Sequence, residues 1–401
     1  MTGAPVAAAA PAASPTRAIV ALSFAACGSA ASLRVCDPLL PRLTTEYGVG
    51  LGTAAQTVTA FAIAYGVLQL AYGPIGDRYG KYRVVTLACA ASALTAIACA
   101  VAPTFGTLVA ARLIAGATTG ALIPLSLAWI GDTIPYERRQ PVLARFLLGQ
   151  MFGIALGQLI GGLGADHWGA GPVFAILAAW FAGAAVLLWR SAPDATPPHP
   201  EAHTGTIVAR FMAVLRIPWA RLVLACIFLE GVMLFGALAF IPTHLNRAYG
   251  MPLAVAGSVL MLYGAGGMVF AALSVLIVRR LGEVGLAAGG GVVIVIALGI
   301  VALGTSAVVA AAAVLFAGLG FYMLHNTLQV NATQMAPAQR GSSVALFAAS
   351  LFIGQSAGVA LAGFAAERFG TGNVIFACAL GVLVLALAFA AARRRHAVLH
   401  A

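Results

Sequence analysis

Charge is what this sequence has least of. Aspartate, glutamate, lysine and arginine make up 8% of its 401 residues, against roughly a quarter in soluble domains, and only 11 residues are acidic. So few charges cannot clothe a water-exposed surface, and a soluble fold is excluded. Cysteine is sparse too: Cys27, Cys36, Cys89, Cys99, Cys226 and Cys378 stand singly in apolar stretches, without a C-x-x-C or a paired histidine. That spacing indicates neither a disulfide framework nor a zinc site and leaves them as small packing residues. The ten-residue alternating segments of a transmembrane barrel are missing. So are a nucleophile–base set and an H-E-x-x-H, which argues against an enzyme and against any metal or other cofactor.

What is present is hydrophobic: 62% of residues are apolar and the mean hydropathy is +0.99. The apolar residues fall into runs of about 20, the length at which a helix crosses a bilayer core. Twelve such runs lie near 18–41, 52–73, 83–102, 106–130, 142–164, 171–190, 219–243, 252–278, 284–303, 308–332, 343–366 and 371–392. The sequence therefore predicts an all-α membrane protein of twelve transmembrane helices. Its 46 glycines suit helices packed closely in lipid, where small residues let backbones approach. Residues 1–16 lack the charged start and apolar core of a signal peptide and read as a disordered cytoplasmic tail. The Pro-rich, polar stretch within 191–217 reads as a linker between two halves, 17–190 and 218–392, and 393–401 as a second cytoplasmic tail.

The net charge of +11 follows topology. One set of loops and the tail hold Arg78, Lys81, Arg83, Arg138, Arg139, Arg190, Arg210, Arg216, Arg279, Arg280, Arg340, Arg393, Arg394 and Arg395; the opposite loops hold Arg42, Arg247 and Arg368. This is the positive-inside pattern, which places both termini and the linker in the cytoplasm. It points to a bacterial-type inner membrane and to lipid, and not to nucleic acid.

The two halves repeat. Tyr47-Gly48 returns as Tyr249-Gly250, Ala115-Gly116 as Ala317-Gly318, and Pro135-x-x-Arg138 as Pro337-x-x-Arg340, each displaced by 202 residues. Gly149-Gln150-x-x-Gly153-x-Ala155-Leu156 returns as Gly354-Gln355-x-x-Gly358-x-Ala360-Leu361, displaced by 205. A duplicated six-helix unit is implied, and two halves around a central path are what alternating access requires.

These residues carry a family resemblance. Gly73-Pro-Ile-Gly-Asp77-Arg78-Tyr-Gly80-Lys81-Tyr-Arg83 resembles the signature loop between helices 2 and 3 of major facilitator transporters. Arg112-x-x-x-Gly116-x-x-x-Gly120 resembles the Arg/Gly motif of their proton-coupled members, and Asp132-x-x-Pro135-x-x-x-Arg139 follows it. Gly149, Gly153, Gly157, Gly161 and Gly162 are similar to the glycine motif of drug/proton antiporters, although that motif has Gly-Pro where this chain has Gly157-Gln158. The resemblance covers the whole chain. It implies two pseudo-symmetric six-helix bundles and a monomeric, proton-coupled exporter of small organic solutes, close to the drug/proton antiporter and sugar-efflux branch.

Ionisable groups inside the spans are functional candidates, because each is costly in lipid unless paired or wet. They are Arg34, Asp37, Arg112, Glu230 and His325, with the amides Gln150 and Asn326 nearby. Gln158, Gln329, Tyr65, Tyr263 and Tyr322 could serve either packing or a solute. Arg34 and Asp37 are three apart and share a helix face. Where the resemblance puts an acid on helix 1, this chain has Arg34, with the acid moved to Asp37. Either Asp37 takes over the acid's role, or Arg34 and Arg112 together face the cavity and favour an organic anion. Glu230 stands alone in its span and suits a proton carrier. In the loop, Gly73 at a helix end and Gly80 in the turn free the backbone, so that Asp77 can engage a helix N-terminus of the other half, or an arginine, as a latch. The repeat reverses its signs, with Arg279 at the place of Asp77 and Glu283 at that of Lys81.

Overall fold

The computed structural model describes residues 15–192 and 206–399. Of the expected tail and linker, 1–14 and 193–205 lie outside the described residues. Helix begins already at Pro15, the stretch Ile207–Leu215 is helical with Thr206 as its N-cap, and the last helix runs on to Leu399.

Among the described residues, eleven helices are long and apolar enough to cross a membrane. One of them, Leu253–Leu303, turns at Gly282 (φ 60°, ψ 179°) and is two spans, 253–281 and 283–303. The twelve are numbered here in chain order. Spans 1 to 6 are Thr16–Arg34 with its continuation Cys36–Tyr47, Leu51–Tyr79, Lys81–Ala100, Phe105–Thr133, Arg138–Trp168 and Ala170–Arg190. Span 7 is Pro218–Tyr249, spans 8 and 9 are the two just given, and spans 10 to 12 are Ala307–Gln334, Pro337–Phe369 and Thr371–His396.

The duplication is visible in the backbone. The glycines with positive φ form three pairs, one member in each half: Gly48 and Gly250 (63° and 63°), Gly80 and Gly282 (89° and 60°), Gly169 and Gly370 (83° and 81°). Each stands at a turn between spans, in a region where a side chain would be strained. Each half also has its own main apolar core, one centred on residues such as Leu22, Phe146 and Phe181, the other on Ile227, Leu298 and Phe389. Gly73 departs from expectation: the helix continues through Gly73-Pro74 to Tyr79, so only Gly80 makes the turn.

The halves meet most closely at the end away from the arginine-rich loops, here called the far end. Ser356 Oγ donates to the Thr59 carbonyl at 3.1 Å across the interface between spans 2 and 11. A Cβ on Gly162 would fall against Ala254 at 2.6 Å, and one on Gly363 against Gly52 at 2.9 Å. Two carboxylates then reach across. Asp166 accepts from the backbone N–H groups of Leu253 (3.0 Å) and Ala254 (2.8 Å) at the start of span 8. Glu367 accepts from the Gly52 N–H (2.7 Å) at the start of span 2. Each acid lies three residues before the terminal glycine of its helix, Gly169 or Gly370. The duplication has therefore produced reciprocal clasps, each placing a negative charge on the positive end of a helix dipole.

Charge on a helix N-terminus contributes up to about 2 kcal/mol in a partly buried setting. Asp166→Asn combined with Glu367→Gln should accordingly shift the far end toward opening by about 1–2 kcal/mol per clasp. Spin labels at the exposed positions Thr45 and Arg368 should move apart in pulsed distance measurements. An unchanged distance distribution would show that packing alone closes this end.

Candidate functional site

The site begins with the glycines of span 5. Gly149, Gly153, Gly157 and Gly161 lie one turn apart and face Ser23, Cys27, Ala31 and Val35 of span 1, so that an added Cβ would meet those residues' carbonyl oxygens. At Gly153, Gly157 and Gly161, where that Cβ would fall less than 3.0 Å from the carbonyl oxygen, hydrogen alone fits and the two backbones run in contact. Span 1 breaks where this contact ends. Pro38 cannot donate to the Arg34 carbonyl and its ring crowds it, and helix Pro15–Arg34 gives way at Val35 to helix Cys36–Tyr47. Arg34 and Asp37 sit on this kink.

They line a central cavity of about 70 Å³, shared with Met151, Ile154 and Gln158 of span 5 and with Leu238, Leu260, Tyr263, Gly264 and Tyr322 of the second half. Arg34 Nη1 is 3.6 Å from Asp37 Oδ2, and the guanidinium lies over the Phe235 ring at 4.6 Å. Gln158 Nε2 donates to Asp37 Oδ2 at 3.1 Å. Asp37 is only 1% exposed. Its second oxygen, the Gln158 side-chain oxygen and the Tyr263 hydroxyl have no hydrogen-bond partner among the described residues. Buried polar atoms without partners are rare and costly.

Arg112 does not join this group. Its Nε donates to the Thr57 carbonyl (3.2 Å), Nη1 to Ser32 Oγ (3.3 Å) and Nη2 to the Ser32 carbonyl (3.1 Å), and its guanidinium lies over Phe61 at 4.1 Å. It is fully buried and ties spans 1, 2 and 4 together through neutral acceptors. The expectation that two arginines face the cavity is corrected to one, because the backbone of the kinked span 1 and of span 2 supplies nearer partners.

Glu230 is not alone. It is fully buried and its Oε2 lies 2.8 Å from His325 Nδ1 of span 10, while Oε1 has no partner among the described residues. Helix Pro218–Glu230 changes at this residue into a π-helical turn, Gly231–Phe235, whose first residue presses on the Leu351 carbonyl of span 11. Such turns collect at functional sites. Phe321 connects the pair to the cavity, with its ring 4.7 Å from that of His325 and 5.4 Å from that of Tyr263.

The remaining candidates divide. Gln150 and Asn326 do not line the cavity; two turns along span 5, Gln158 does. Gly116 and Gly120 bring span 4 onto the carbonyls of Phe61 and Tyr65 in span 2. In the signature loop, Lys81 Nζ bonds Asp132 Oδ2 (2.5 Å) and pairs with Asp77 Oδ1 (3.2 Å), Arg78 lies beside the Tyr79 ring, and Arg83 is exposed. In this conformation the loop is thus tied within the first half. Its sign-reversed counterpart is tied within the second, by Glu283 Oε2 to Arg393 Nε at 2.7 Å. Sequence reasoning passed over Asp166 and Glu367. Their common place three residues before paired glycines was the signal that could have found them.

With this geometry in view, comparison with known proteins is informative. The family model of the Major Facilitator Superfamily matches residues 22–359. An uncharacterised transporter of that type, YceJ of Bacillus subtilis, is 24% identical over 252 residues, 61% of this chain and 63% of its own. The multidrug efflux pump LfrA of Mycolicibacterium smegmatis is 29% identical over 211 residues, 51% of this chain and 42% of its own. The chain thus spans less than two-thirds of the length of these curated relatives. Among solved structures, the nucleoside transporter NupG superposes with a TM-score of 0.77 at 15% identity, covering 94% of this chain and 98% of that one. A D-xylose–proton symporter superposes with a TM-score of 0.72 at 16% identity, covering 93% and 96%. At these identities the superpositions speak for the twelve-helix fold alone, but the family model covers most of the sequence. A kinked span 1 held by span-5 glycines, a cavity between two repeated halves and this match together place the chain in the Major Facilitator Superfamily of membrane transporters.

Proposed function

We propose that the chain is a secondary active transporter that exports a small organic solute in exchange for protons, by alternating access to the central cavity. On this reading the arginine-rich end lies in the cytoplasm of a bacterial cell, and the clasped far end is the closed outer gate. The observation that carries the proposal is the Glu230–His325 pair. A carboxylate with 0% exposure is held by one imidazole at 2.8 Å, one aromatic ring away from the cavity wall. While His325 is protonated, the pair is neutral as a whole. Loss of that proton leaves a buried carboxylate with no balancing positive charge beside it, a state that costs several kcal/mol and so favours the arrangement that admits water to it. Protonation and the choice of open side are coupled by that cost. The name of the relative LfrA, a multidrug efflux pump, agrees with export. The organic-anion alternative rested on two arginines at the cavity, and only Arg34 lines it.

Glu230→Gln should lower proton-driven transport by about a hundredfold or more, the scale of losing an essential proton-transfer group, while solute-for-solute exchange continues without pH dependence. Reconstituted liposomes with and without a pH gradient provide the measurement, and full uphill transport by the variant would sink the assignment. Asp77→Asn addresses the loop. Its ion pair with Lys81 is exposed in this conformation and contributes less than about 1 kcal/mol, so thermal unfolding should be unchanged. Transport should nevertheless slow several-fold, because Asp77 is held ready for the closed state of the cytoplasmic side. Wild-type rates in Asp77→Asn would reduce it to a surface ion pair.

A further inference from the structure

The polar end of the cavity carries one formal charge of each sign. Arg34 contributes one positive charge and Asp37 one negative, 3.6 Å apart, and Arg112 is occupied elsewhere by Thr57 and Ser32. A separation of 3.6 Å is too long for a hydrogen bond, so the two groups attract one another without saturating one another. The atoms left over are of both kinds. Asp37 Oδ1 and Gln158 Oε1 are acceptors with no donor among the described residues, on side chains only 1% and 3% exposed. The Arg34 guanidinium and the Tyr263 hydroxyl line the same cavity, the latter also without a partner among the described residues. The rest of the wall is Met151, Ile154, Leu238, Leu260 and Gly264, with Tyr322 as one further phenol ring.

A solute bearing only negative charge would engage Arg34 and leave Asp37 to repel it. One bearing only positive charge would engage Asp37 and meet the guanidinium. A solute with an acidic group and a donor close together satisfies all of these atoms at once, and the apolar wall takes its carbon body. We infer that the cavity recognises a small, net-neutral dipolar solute, a zwitterion with an adjacent ammonium and carboxylate on an apolar body. Its carboxylate binds Arg34 and Tyr263, and its ammonium binds Asp37 Oδ1 and Gln158 Oε1. This rests on the reading of the cavity as the solute site, and it names the substrate class of that site.

Three probes of one shape separate the possibilities: phenylalanine, phenethylamine and 3-phenylpropionate, which carry both charges, the positive alone and the negative alone. Equilibrium binding to the full chain in lipid nanodiscs should favour phenylalanine over either of the others by about tenfold or more, since buried polar groups reject analogues that leave them unpaired. Arg34→Gln should move the preference toward phenethylamine, and Asp37→Asn toward 3-phenylpropionate. The readout is a ratio within each variant, so partial loss of folded protein does not imitate it. Preference of the wild type for a singly charged probe, binding of none of the three, or a shift of both variants in the same direction overturns the inference.

Gly264 separates this failure from failure of the cavity itself. It lines the cavity and a Cβ added there meets nothing within 4 Å, so Gly264→Leu adds apolar bulk at the wall and removes no charge. It should abolish phenylalanine binding. Equal phenylalanine binding by wild type and Gly264→Leu overturns both the inference and the cavity reading. Block by Gly264→Leu together with a preference for a singly charged probe overturns the dipolar inference alone.

Discussion

The backbone contact between spans 1 and 5 is the constraint on which the rest depends. Gly153, Gly157 and Gly161, each a turn apart, allow the carbonyls of Cys27, Ala31 and Val35 to lie where side chains would otherwise stand. In lipid, helix association draws nothing from the hydrophobic effect, and close packing is its main source. Because the register is set by hydrogen-sized gaps, it cannot slide by a residue without driving a Cβ into a carbonyl. That fixed register puts the Arg34–Pro38 kink opposite Gln158, and the cavity's polar end follows from it. Span 7 meets span 11 in the same manner, with Gly354 and Gly358 on the carbonyls of Phe228 and Val232, and there the register places Glu230 in reach of span 10.

Within this frame, the ionisable candidates of spans 1, 4 and 7 are satisfied in different ways. Arg112 is saturated by neutral backbone and hydroxyl acceptors and works as a fastener. Glu230 has one strong partner and one bare oxygen, an arrangement stable enough to persist and incomplete enough to change. Arg34 and Asp37 are near one another without a hydrogen bond. The degree of satisfaction, more than the presence of charge, separates the residue that fixes structure from those proposed to move protons and solute.

Much of the fold was legible in the sequence for a physical reason. The length of an apolar run is dictated by bilayer thickness, and a duplicated chain repeats its glycines where turns demand them. The junction of spans 8 and 9 shows the limit of helix continuity alone: hydropathy separated the two at 278–284, and the backbone turns at Gly282 although helix is otherwise unbroken. The site was less legible. That Arg34 and Asp37 share a face followed from their spacing, but where Arg112 points depends on which carbonyls the kinked span 1 and span 2 present, and no local pattern encodes that. His325 was recognised as ionisable without its partner, since pairing across 95 residues is a matter of tertiary packing. Gln150 repeats as Gln355 and lies off the cavity; Gln158, which does line it, has no such repeat.

That last contrast has a mechanical meaning. The features shared by both halves are those that hold or hinge: paired glycine turns, glycine stripes, and the reciprocal clasps of Asp166 and Glu367. The features found in one half only are those with chemistry, Arg34, Asp37 and Gln158 in the first and Glu230 with His325 in the second. A rocking motion between halves needs matched hinges on both sides of the path, because each half moves against the other about the same site. Coupling needs the opposite. If both halves carried a proton site and a solute site, occupation of one would not distinguish the two arrangements, and a ligand shifts an equilibrium only by its differential affinity for the two states. With the proposed proton site on one half and most of the proposed solute contacts on the other, joined through Phe321 and Tyr263, each occupant would sense the relative position of the halves. Symmetric mechanics carrying asymmetric chemistry is therefore what an exchange of proton for solute requires of a duplicated chain.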